Sequence, residues 1–510
     1  MSNIALYVGL SVLLLLWVRR SSRRARLPLP PGPPALPVLG HMLIIPRSDQ
    51  GEFFHNLAKD YGDIVHLHIP TISFIVLNSV EIAVELLEKR SHNYSDRPSI
   101  PVIEMMGFFP ALGLLPYGPR FRLHRRMTQQ YFKRQDIATY RPLQIRSVRI
   151  LLQNLLSAPE DRNNHLSLYA ASILMRITFG YDLSSSNDTY LGIVKAINHM
   201  LETPGLLSGT IIDIFPILRH LPSWLPGGYY PGIVRHIRPM TQKMQDFPLA
   251  YVQEQMAKGW AKPSFIAINL EALNNQSGIP SNTLLDIKGA AAQIYTGGAE
   301  TTWGTLSMFF LIMMLYPECQ AKAQAEIDAV IGSGRLPDFD DRQLLPYLEC
   351  VVQETLRWNN VVPIGVPHRS LEDDVYKGMF IPKGSVVIAN TRGMSLNENI
   401  YSDPHTFNPS RYLPKPEGKA EPYPVAHFGF GRRICPGRYF AEDSLWITMA
   451  LILATFKISK PFNRDGKEIM PELKFTSGIS RHPAPYQCKI EPRDEIAQAL
   501  IVQADTTDYY

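Results

Sequence analysis

The longest helical pattern in this 510-residue chain runs from Asp286 to Tyr316 and is apolar on almost every side. A helix without a polar face is typical of a protein interior, so the pattern predicts a helix buried at the centre of a large helical body. Two adjacent glycines, Gly297 and Gly298, and the carboxylate of Glu300 interrupt it. A glycine costs roughly 1 kcal/mol inside a helix, and burying an unpaired charge is also expensive. The interruption therefore indicates that this part of the helix has a special task.

Two explanations of the interruption remain open on the residues alone. Space at the glycines, the carboxylate of Glu300 and the hydroxyls of Thr301 and Thr302 would let a small molecule bind there and receive protons. Alternatively, the glycines allow another helix to pack closely, and Glu300 reaches a surface.

The other patterns predict a mainly helical protein with a small β part. Ile64 to His68 and Ser73 to Leu77 resemble strands, and Val375 to Phe380 and Ser385 to Asn390 flank a Pro-Lys-Gly turn typical of a hairpin. Further helical patterns are Val80 to Lys89, Arg120 to Phe132, Pro142 to Leu156, Ser167 to Phe179 and Tyr190 to Leu201.

Charge and cysteine content argue against two classes of protein. The chain has 51 Lys and Arg against 46 Asp and Glu, and a net charge of +5 over this length is too small to indicate nucleic-acid binding. Its four cysteines form no Cys-x-x-Cys pair and no framework typical of small secreted proteins. We therefore expect unpaired thiols in a reducing compartment and no nucleic-acid partner.

The amino terminus predicts a membrane anchor. Ile4 to Val18 carries no charge and, with the three residues before it, gives a short but sufficient span. The segment lacks the preceding basic region and the small-residue cleavage site of a signal peptide, although a cleaved signal peptide remains the alternative. The arginines that follow place the body in the cytosol: Arg19, Arg20, Arg23, Arg24 and Arg26. We expect an uncleaved anchor over residues 1–18, and a basic, proline-rich hinge over residues 19–40.

A glycine-rich stretch, Phe428 to Gly437 (FGFGRRICPG), contains Cys435 and precedes the apolar run from Tyr439 to Ala454. Glycines let the backbone turn tightly and approach a flat ligand. A thiolate at the start of a helix, close to arginines, is stabilised as an anion and can bind a metal. The alternative is a turn with one buried, inert cysteine.

Glu354 and Arg357 lie three residues apart, so they share a helix face and can form a salt bridge. Arg411, in the aromatic and basic turn from Phe407 to Tyr412, could complete a network with them through bidentate hydrogen bonds. Each signal is weak by itself, because such pairs are common on solvated helices.

In combination, these stretches resemble the cytochrome P-450 family. Phe428-x-x-Gly431-x-Arg433-x-Cys435-x-Gly437 is similar to its haem-binding signature, Glu354-x-x-Arg357 to its Glu–Arg pair, and Asn408-Pro409-Ser410-Arg411 to the motif after it. Gly297-Gly298-x-Glu300-Thr301-Thr302 is similar to its oxygen-activation motif. The order and spacing fit, and the chain is most similar to fungal, basidiomycete microsomal members.

The resemblance implies a cytochrome P-450 fold, in which a large helical part and a small β-rich part enclose haem. It implies a haem-thiolate catalytic domain over residues 41–490, which leaves residues 491–510 as a polar tail. With the anchor, it also implies a single-pass protein of the endoplasmic reticulum membrane whose catalytic domain faces the cytosol.

The family's functional residues can be assigned to matching positions. Cys435 would be the axial thiolate ligand of the haem iron, with Phe428 packed near the sulfur. Thr301 would hold hydrogen bonds over the iron, and Glu300 would relay protons. The further cofactor-binding residues would be Arg433, Gly437, Arg125, Arg97, His368 and Gly298, and Glu354, Arg357 and Arg411 would form a structural triad.

Two positions depart from the family pattern. Phe121, in Tyr117-Gly118-x-x-Phe121-x-x-His124-Arg125-Arg126, stands where members usually have Trp, so an indole N–H contact to a haem propionate is lost. At position 300, Glu replaces the commoner Asp, which keeps the carboxylate but lengthens its reach.

The implied activity is an NADPH- and O₂-dependent monooxygenase that holds haem b and receives electrons from NADPH-cytochrome P-450 reductase. A basic surface could dock an acidic reductase, or could be a solvated face without a partner; its residues would be Arg122, Arg126, Lys133, Arg432 and Arg438. The substrate should be lipophilic (a terpenoid, steroid or aromatic compound), because the presumed lining segments are mostly apolar: residues 101–116, 206–218, 293–298, 361–366 and 475–481.

Arg481 and Glu104 could be polar anchors for a substrate or could lie on the surface. Two other functions remain as alternatives. One is an O₂-independent haem-thiolate isomerase or dehydratase, against which the Glu300–Thr301 pair argues. The other is a membrane-tethered carrier of haem or lipid without catalysis.

Overall fold

The computed structural model describes residues 27–108, 110–183, 188–201, 210–220, 224, 229–274, 283–476, 478, 480–504 and 506. The fold is mainly helical with small sheets, as predicted. Its α-helices are α1 (Gln50–Tyr61), α2 (Val80–Ala83), α3 (Ser91–Tyr94), α4 (Pro101–Met105), α5 (Pro119–Tyr131), α6 (Arg141–Ser157), α7 (Arg162–Phe179), α8 (Thr189–Leu201), α9 (Ile211–Ile214), α10 (Tyr229–Lys258), α11 (Phe265–Asn274), α12 (Thr283–Leu315), α13 (Pro317–Val330), α14 (Pro346–Trp358), α15 (Thr391–Ser395), α16 (Arg438–Thr455) and α17 (Glu495–Gln503).

Shorter helical segments connect these helices. Val84–Lys89 continues α2 as a π-helix, so the helix predicted for residues 80–89 changes its hydrogen-bond pattern halfway. The 3-10 helices are Arg134–Tyr140, Pro159–Asp161, Pro216–His220, Phe339–Leu344, Pro409–Tyr412, Ala426–Phe428 and Gly431–Arg433.

The central helix α12 is buried as its sequence predicts. Its carboxyl half, from Leu306 to Met314, contributes a continuous run of fully buried side chains. These pack in one core cluster with side chains of α7 and α16, among them Leu174 and Trp446. The absence of a polar face is thus explained, because other helices cover this part of α12 on its sides.

The main sheet has four strands in the order β1 (Ile64–Ile69), β2 (Ile72–Leu77), β6 (Val386–Ala389) and β3 (His368–Arg369). β1 and β2 are antiparallel, as expected for adjacent strands of a hairpin, and β2 pairs with β6 in parallel.

The hairpin predicted around Pro382-Lys383-Gly384 is wrong. The hairpin joins β4 (Asp374–Tyr376) to β5 (Met379–Ile381), and it turns at Lys377 and Gly378, which both have positive φ, 49° and 77°. This combination suits the tight two-residue turns that match the twist of paired strands. The apolar strand β6 is buried along its whole length and joins the interior of the main sheet instead.

The described part of the proline-rich hinge lies against this sheet. The backbone N–H of His66 in β1 donates to Pro31 O (2.8 Å), and the N–H of His41 donates to His68 O (2.7 Å). Gly40 has φ +60°, and a Cβ there would lie 2.3 Å from His68 O, so this position requires glycine. Residues 27–40 are therefore held by the body.

Residues 489–503 form a strand and a helix, which corrects this part of the polar tail expected for residues 491–510; residues 505 and 507–510 lie outside the described residues. β8 (Lys489–Pro492) pairs with β7 (Phe456–Ser459), and α17 follows it. The Asp494 side chain caps α17 by accepting from Ala497 N–H (2.7 Å). Ala497 and Ile501, four residues apart, are buried on one face of this helix. Two buried positions in a short helix are too few to give a burial pattern that can be recognised in the sequence.

Across the described ranges, no helix combines the length and apolar character needed to cross a membrane. The predicted anchor, residues 1–18, lies outside these ranges.

Candidate active site

The Cys435 loop joins a 3-10 turn to the amino terminus of α16. Gly429 and Gly431 have positive φ, 75° and 57°. A Cβ on Gly431 would lie 2.0 Å from Leu87 O, so glycine lets the loop lie against the π-helix. The N–H of Cys435 donates to Phe428 O (2.8 Å), which closes the loop. Gly437 is the N-cap of α16, and open space surrounds its Cα.

Two opposing influences act on the Cys435 thiol. Burial raises its pKa, whereas a backbone hydrogen bond from Gly437 and the charges of Arg125 and Arg438 act to lower it. Burial is the larger influence, and the pKa of the thiol is raised. The cations and the amide nevertheless favour the thiolate, which is the form of cysteine that binds a metal.

A group of buried basic side chains lies beside this loop. Arg97 and His368 are almost fully buried, and burial, followed by the charge of neighbouring arginines, lowers the pKa of each well below its ordinary value. Burial likewise lowers the pKa of both Arg125 and Arg433 to about 10.

These side chains bond to backbone carbonyls. Arg97 donates to the oxygens of Gly113 (2.8 Å), Val366 (2.7 Å) and Pro367 (2.7 Å), Arg125 to Ile434 O (2.5 Å), Arg433 to Ser95 O (2.7 Å) and Leu115 O (2.8 Å), and His368 lies 2.7 Å from Tyr94 O. Asp96 is the carboxylate whose charge acts on both Arg97 and Arg433. Positive charge is therefore concentrated beside Cys435, and buried charges of one sign are expensive without counter-charge. This excess fits a ligand that carries carboxylates.

Phe121 cannot make the indole N–H contact of the usual Trp, but its ring contacts a basic side chain. The Arg433 guanidinium lies 3.7 Å from the centre of the Phe121 ring. A ring face attracts a cation electrostatically, so this contact helps to orient Arg433 without an indole N–H.

The predicted triad is a connected and fully buried network. Arg357 donates from Nε to Glu354 Oε2 (2.8 Å) and from Nη2 to Oε1 (2.8 Å), and Arg411 donates from Nε to the same Oε1 (3.0 Å). Burial alone would lower the pKa of Arg357, but the hydrogen bond and charge of Glu354 raise it above the ordinary value. The 3-10 helix from Pro409 to Tyr412 brings Arg411 to α14 across a sequence separation of 57 residues.

The sequence missed two members of this network. The Tyr412 hydroxyl donates to Glu354 Oε2 (2.7 Å), and Arg411 Nη1 donates to Glu421 Oε2 (2.7 Å). Burial would raise the pKa of Glu421, but the hydrogen bonds of Ser402 and Arg411 bring it below the ordinary value. Tyr412 could have been found, because it follows Arg411 directly; Glu421 has no such signal.

The residues from Gly297 to Thr301 in α12 contact different neighbours. A Cβ on Gly298 would lie 2.7 Å from the Leu174 side chain of α7, which supports close helix packing at that glycine. The Thr301 hydroxyl donates to Gly297 O (2.9 Å), one turn earlier. Glu300 Oε1 accepts a hydrogen bond from the Ser480 hydroxyl (3.1 Å), a partner that the sequence did not suggest.

A concave basic surface lies beside the Cys435 loop. The five cations predicted for a docking face do line one cavity of 590 Å³, together with Arg125. Arg122 and Arg126 lie on α5 and Lys133 follows that helix, whereas Arg432 lies in the Cys435 loop and Arg438 begins α16. The fold therefore brings together charges that are far apart in sequence.

The two suggested polar anchors are placed differently. Arg481 Nη1 lies 3.3 Å from Asp49 Oδ1 at the start of α1, and its guanidinium lies 4.6 Å from the centre of the Phe475 ring. Glu104 is exposed, and the Ser99 hydroxyl donates to it (3.4 Å). These contacts favour the surface alternative for Glu104 and give Arg481 a partner on another element.

Comparisons with known proteins identify the family of this chain. A model of the cytochrome P-450 family matches residues 30–490. Cytochrome P-450 monooxygenase 176 of Postia placenta is 36% identical over 504 residues, which cover 98% of this chain and 97% of that protein. A cytochrome P-450 monooxygenase of Armillaria gallica is 37% identical over 500 residues (97% and 98%), and monooxygenase claR of Ampulloclitocybe clavipes is 38% identical over 493 residues (95% and 89%). The chain therefore belongs to the cytochrome P-450 family, whose members are haem-thiolate oxidoreductases that use O₂.

Proposed function

We propose that this protein is a membrane-anchored monooxygenase that hydroxylates a lipophilic small molecule with O₂ and electrons from NADPH. The observation that carries the proposal is the Cys435 sulfur at the amino end of α16, with the charges of Arg125 and Arg438 acting on it. The family match and the relatives named as monooxygenases support the reaction class.

The proposed cofactor is haem b, and the residues beside Cys435 fit it. Cys435 would be the axial thiolate ligand, and Phe428, whose carbonyl bonds to the Cys435 N–H, would pack beside the sulfur. Bound haem would supply the activation of O₂. Its two propionates are the carboxylates that the guanidinium groups of Arg97, Arg125 and Arg433 would hold. We assign His368 to the same place as a neutral imidazole, because burial lowers its pKa well below the ordinary value. Gly437, with open space at its Cα, would leave room for the ring.

Thr301 and Glu300 would manage protons on α12. The Thr301 hydroxyl bonds within the helix in the free chain, and it could turn to hold a hydrogen bond to a small molecule beside Gly297. The Glu300 carboxylate would accept and donate protons one residue away. Gly298 lets α12 approach α7, so it would support cofactor binding through the position of α12 and not through a contact of its own.

Glu354, Arg357 and Arg411 would act as a structural triad. Their network joins α14 to the segment after β6 that leads to the Cys435 loop, and it contains no atom that must react. We assign it the task of fixing this segment.

The basic surface around Arg126, Lys133 and Arg432 would dock an acidic NADPH-cytochrome P-450 reductase. Opposite charges across an interface mainly raise the association rate and fix the orientation of the partners. The surface lies beside Ile434, next to the proposed ligand, which gives an electron a short path from the partner.

The location would be the endoplasmic reticulum membrane, with the body in the cytosol. The uncharged run Ile4 to Val18 and the arginines after it support this proposal. The apolar side chains exposed near the amino end of the body, such as Val38 and Leu43, are consistent with a membrane surface.

The test is the spectrum of the full chain with haem, reduced and exposed to carbon monoxide, followed by turnover. Cys435→Ala should abolish the red-shifted carbon-monoxide band, whereas Cys350→Ala, a buried cysteine on α14, should keep it. An unchanged band in Cys435→Ala would refute the ligand assignment.

Turnover then separates the three candidate functions. With reductase, NADPH and a mixed panel of terpenoids, steroids and aromatic compounds, a monooxygenase forms an oxygenated product that incorporates label from ¹⁸O₂. Product without O₂ or reductase would indicate an isomerase or dehydratase. A normal carbon-monoxide band with no product from any compound would indicate a carrier.

A further inference from the structure

The Glu300 carboxylate meets a segment near the carboxyl terminus, residues 480–483. Ser480 Oγ donates to Glu300 Oε1 (3.1 Å), and His482 Nε2 lies 3.7 Å from the same oxygen. The second distance is too long for a hydrogen bond but within ion-pair range. One hydroxyl donor and one imidazole nitrogen therefore face the same oxygen of the proposed proton-relay residue.

The fold holds the His482 ring in this place. The ring packs edge-on against Trp303, with centroids 4.4 Å apart, and Trp303 Nε1 donates to Asn163 Oδ1 of α7 (3.0 Å). Gly304 of α12 lets His482 come close, because a Cβ there would lie 3.5 Å from the His482 Cβ and 3.1 Å from Val361. Both ring nitrogens face oxygens, since Nδ1 lies 3.4 Å from Pro483 O.

Hydrogen bonds of the backbone fix the same segment. Thr476 N–H donates to His482 O (2.9 Å), and His482 N–H donates back to Thr476 Oγ1 (3.1 Å). Arg481 N–H donates to Val361 O (2.7 Å), and its side chain reaches Asp49. Alternate residues thus serve opposite sides, as in an extended strand: Ser480 and His482 face Glu300, and Arg481 faces α1.

We propose that Ser480 and His482 are positioning residues for Glu300. They hold its carboxylate at the junction of α12 and residues 480–483, and so determine where Glu300 takes up and delivers protons. The proposal rests on the proposed function, in which Glu300 relays protons during O₂ reduction. A glutamate needs such partners more than an aspartate would, because its additional methylene gives the carboxylate more positions to occupy.

The first test measures the contact itself and needs no turnover. Hydrogen–deuterium exchange of the full chain with haem is followed in peptides that cover residues 480–486. His482→Phe keeps a ring against Trp303 but loses the donor, and Glu300→Leu loses the acceptor. We expect about fivefold faster exchange in Glu300→Leu, as for loss of the hydrogen bond from Ser480. We expect a smaller increase in His482→Phe, which loses only the longer polar contact at 3.7 Å, and near-normal exchange in His482→Gln, which keeps a polar N–H at this place. Lys474→Gln, at an exposed site shortly before this segment, is the matched control.

The second test measures the fate of O₂ during NADPH oxidation with reductase and without added substrate. Two-electron reduction consumes one NADPH and one proton per O₂ and gives H₂O₂, whereas four-electron reduction consumes two NADPH and two protons and gives two waters. Misplaced proton delivery changes the fraction of NADPH recovered as H₂O₂. We expect this fraction to change in the same direction in His482→Phe and Glu300→Leu and to return toward the wild-type value in His482→Gln.

The outcomes are distinguishable. Unchanged exchange in both His482→Phe and Glu300→Leu overturns the inference, whatever their turnover. If exchange changes and only Glu300→Leu alters the H₂O₂ fraction, the positioning role is refuted and the proton role of Glu300 stands. If neither variant alters the H₂O₂ fraction, the proposed proton role of Glu300 fails, and the positioning role fails with it.

Discussion

Replacing Glu354 with glutamine should lower the free energy of unfolding by about 3–5 kcal/mol. Glu354 is fully buried, and its two oxygens accept from Arg357, Arg411, Tyr412 and the backbone N–H of Asn408. Glutamine has nearly the same volume, so no cavity forms. It removes the negative charge between two buried guanidinium groups and turns an amide NH₂ toward donors, which leaves charges and donors without acceptors.

The cost should fall mainly on Arg357. Arg411 keeps a second carboxylate, since its Nη1 donates to Glu421 Oε2 (2.7 Å). Arg357 keeps bonds to backbone carbonyls, among them Ser395 O (2.8 Å) and Pro404 O (2.9 Å), which do not neutralise its charge. For this reason Glu421→Gln, which also removes one carboxylate from Arg411, should cost less than Glu354→Gln.

The assay is urea unfolding of the chain without and with haem, followed by circular dichroism. Glu472→Gln is the matched control, because Glu472 pairs with Lys474 on the surface and such pairs contribute about 0–1 kcal/mol. In a double-mutant cycle, Glu354→Gln and Arg357→Gln together should cost about 1–3 kcal/mol less than the sum of the two. A cost for Glu354→Gln no larger than that of Glu472→Gln, or strict additivity in the cycle, would refute the reasoning.

Three further predictions concern other parts of the molecule. Ile501→Ala on α17 should lower the free energy of urea unfolding by about 2–5 kcal/mol, because the Ile501 side chain is fully buried, whereas Val502→Ala at an exposed position should change it little. Equal effects of the two variants would contradict the packing of α17 on the body. Burial, followed by the charges of His68 and His41, lowers the pKa of His66 to about 4. Because the His66 imidazole then takes up a proton at a higher pH in the unfolded chain than in the folded one, the free energy of unfolding should fall as the pH drops from about 6.5 to 4. In urea unfolding, His66→Gln should make this decline less steep than the exposed control His92→Gln does. The double variant Arg126→Glu with Lys133→Glu should raise the reductase concentration needed for half-maximal NADPH oxidation, and it should weaken the dependence of this concentration on salt. An effect no larger than that of the double variant Lys59→Glu with Lys89→Glu would exclude this docking surface.

Hydrophobic periodicity predicted those helices and strands whose burial pattern can be recognised within one stretch of sequence. The strands β1 and β2, the helices α5 to α8 and the buried α12 were all expected, because each has a pattern of burial long enough to be read along the chain. Elements decided by non-local pairing were not. The strand β6 was assigned to the wrong hairpin, because its partner β2 lies far away in sequence, and α17 carries too few buried positions to give a pattern.

The site followed the same division. Cys435, Glu354, Arg357 and Arg411 stand in stretches whose order and spacing resemble a family, so they could be named in advance. Tyr412 and Glu421 complete the network around Glu354, yet nothing in the spacing of Glu421 distinguishes it from any surface carboxylate. The contact of Ser480 with Glu300 spans 180 residues, and only the fold brings the two side chains together.

Of the two explanations offered for the glycine-interrupted helix, close helix packing applies at Gly298, and the proton role that we propose for Glu300 concerns another side of the helix. Successive residues of an α-helix are rotated by about 100°, so Gly298 and Glu300 lie about 200° apart and point to nearly opposite sides of α12. Gly298 meets Leu174 of α7, as close helix packing requires, and Glu300 meets Ser480 on the other side. A sequence motif gives the order of such residues but not the neighbours on each side of the helix. Because α7 packs against α12 on one side and Ser480 contacts Glu300 on the other, a change at Leu174 that shifts α12 should alter the environment of Glu300, although Leu174 and Glu300 lie on opposite sides of the helix.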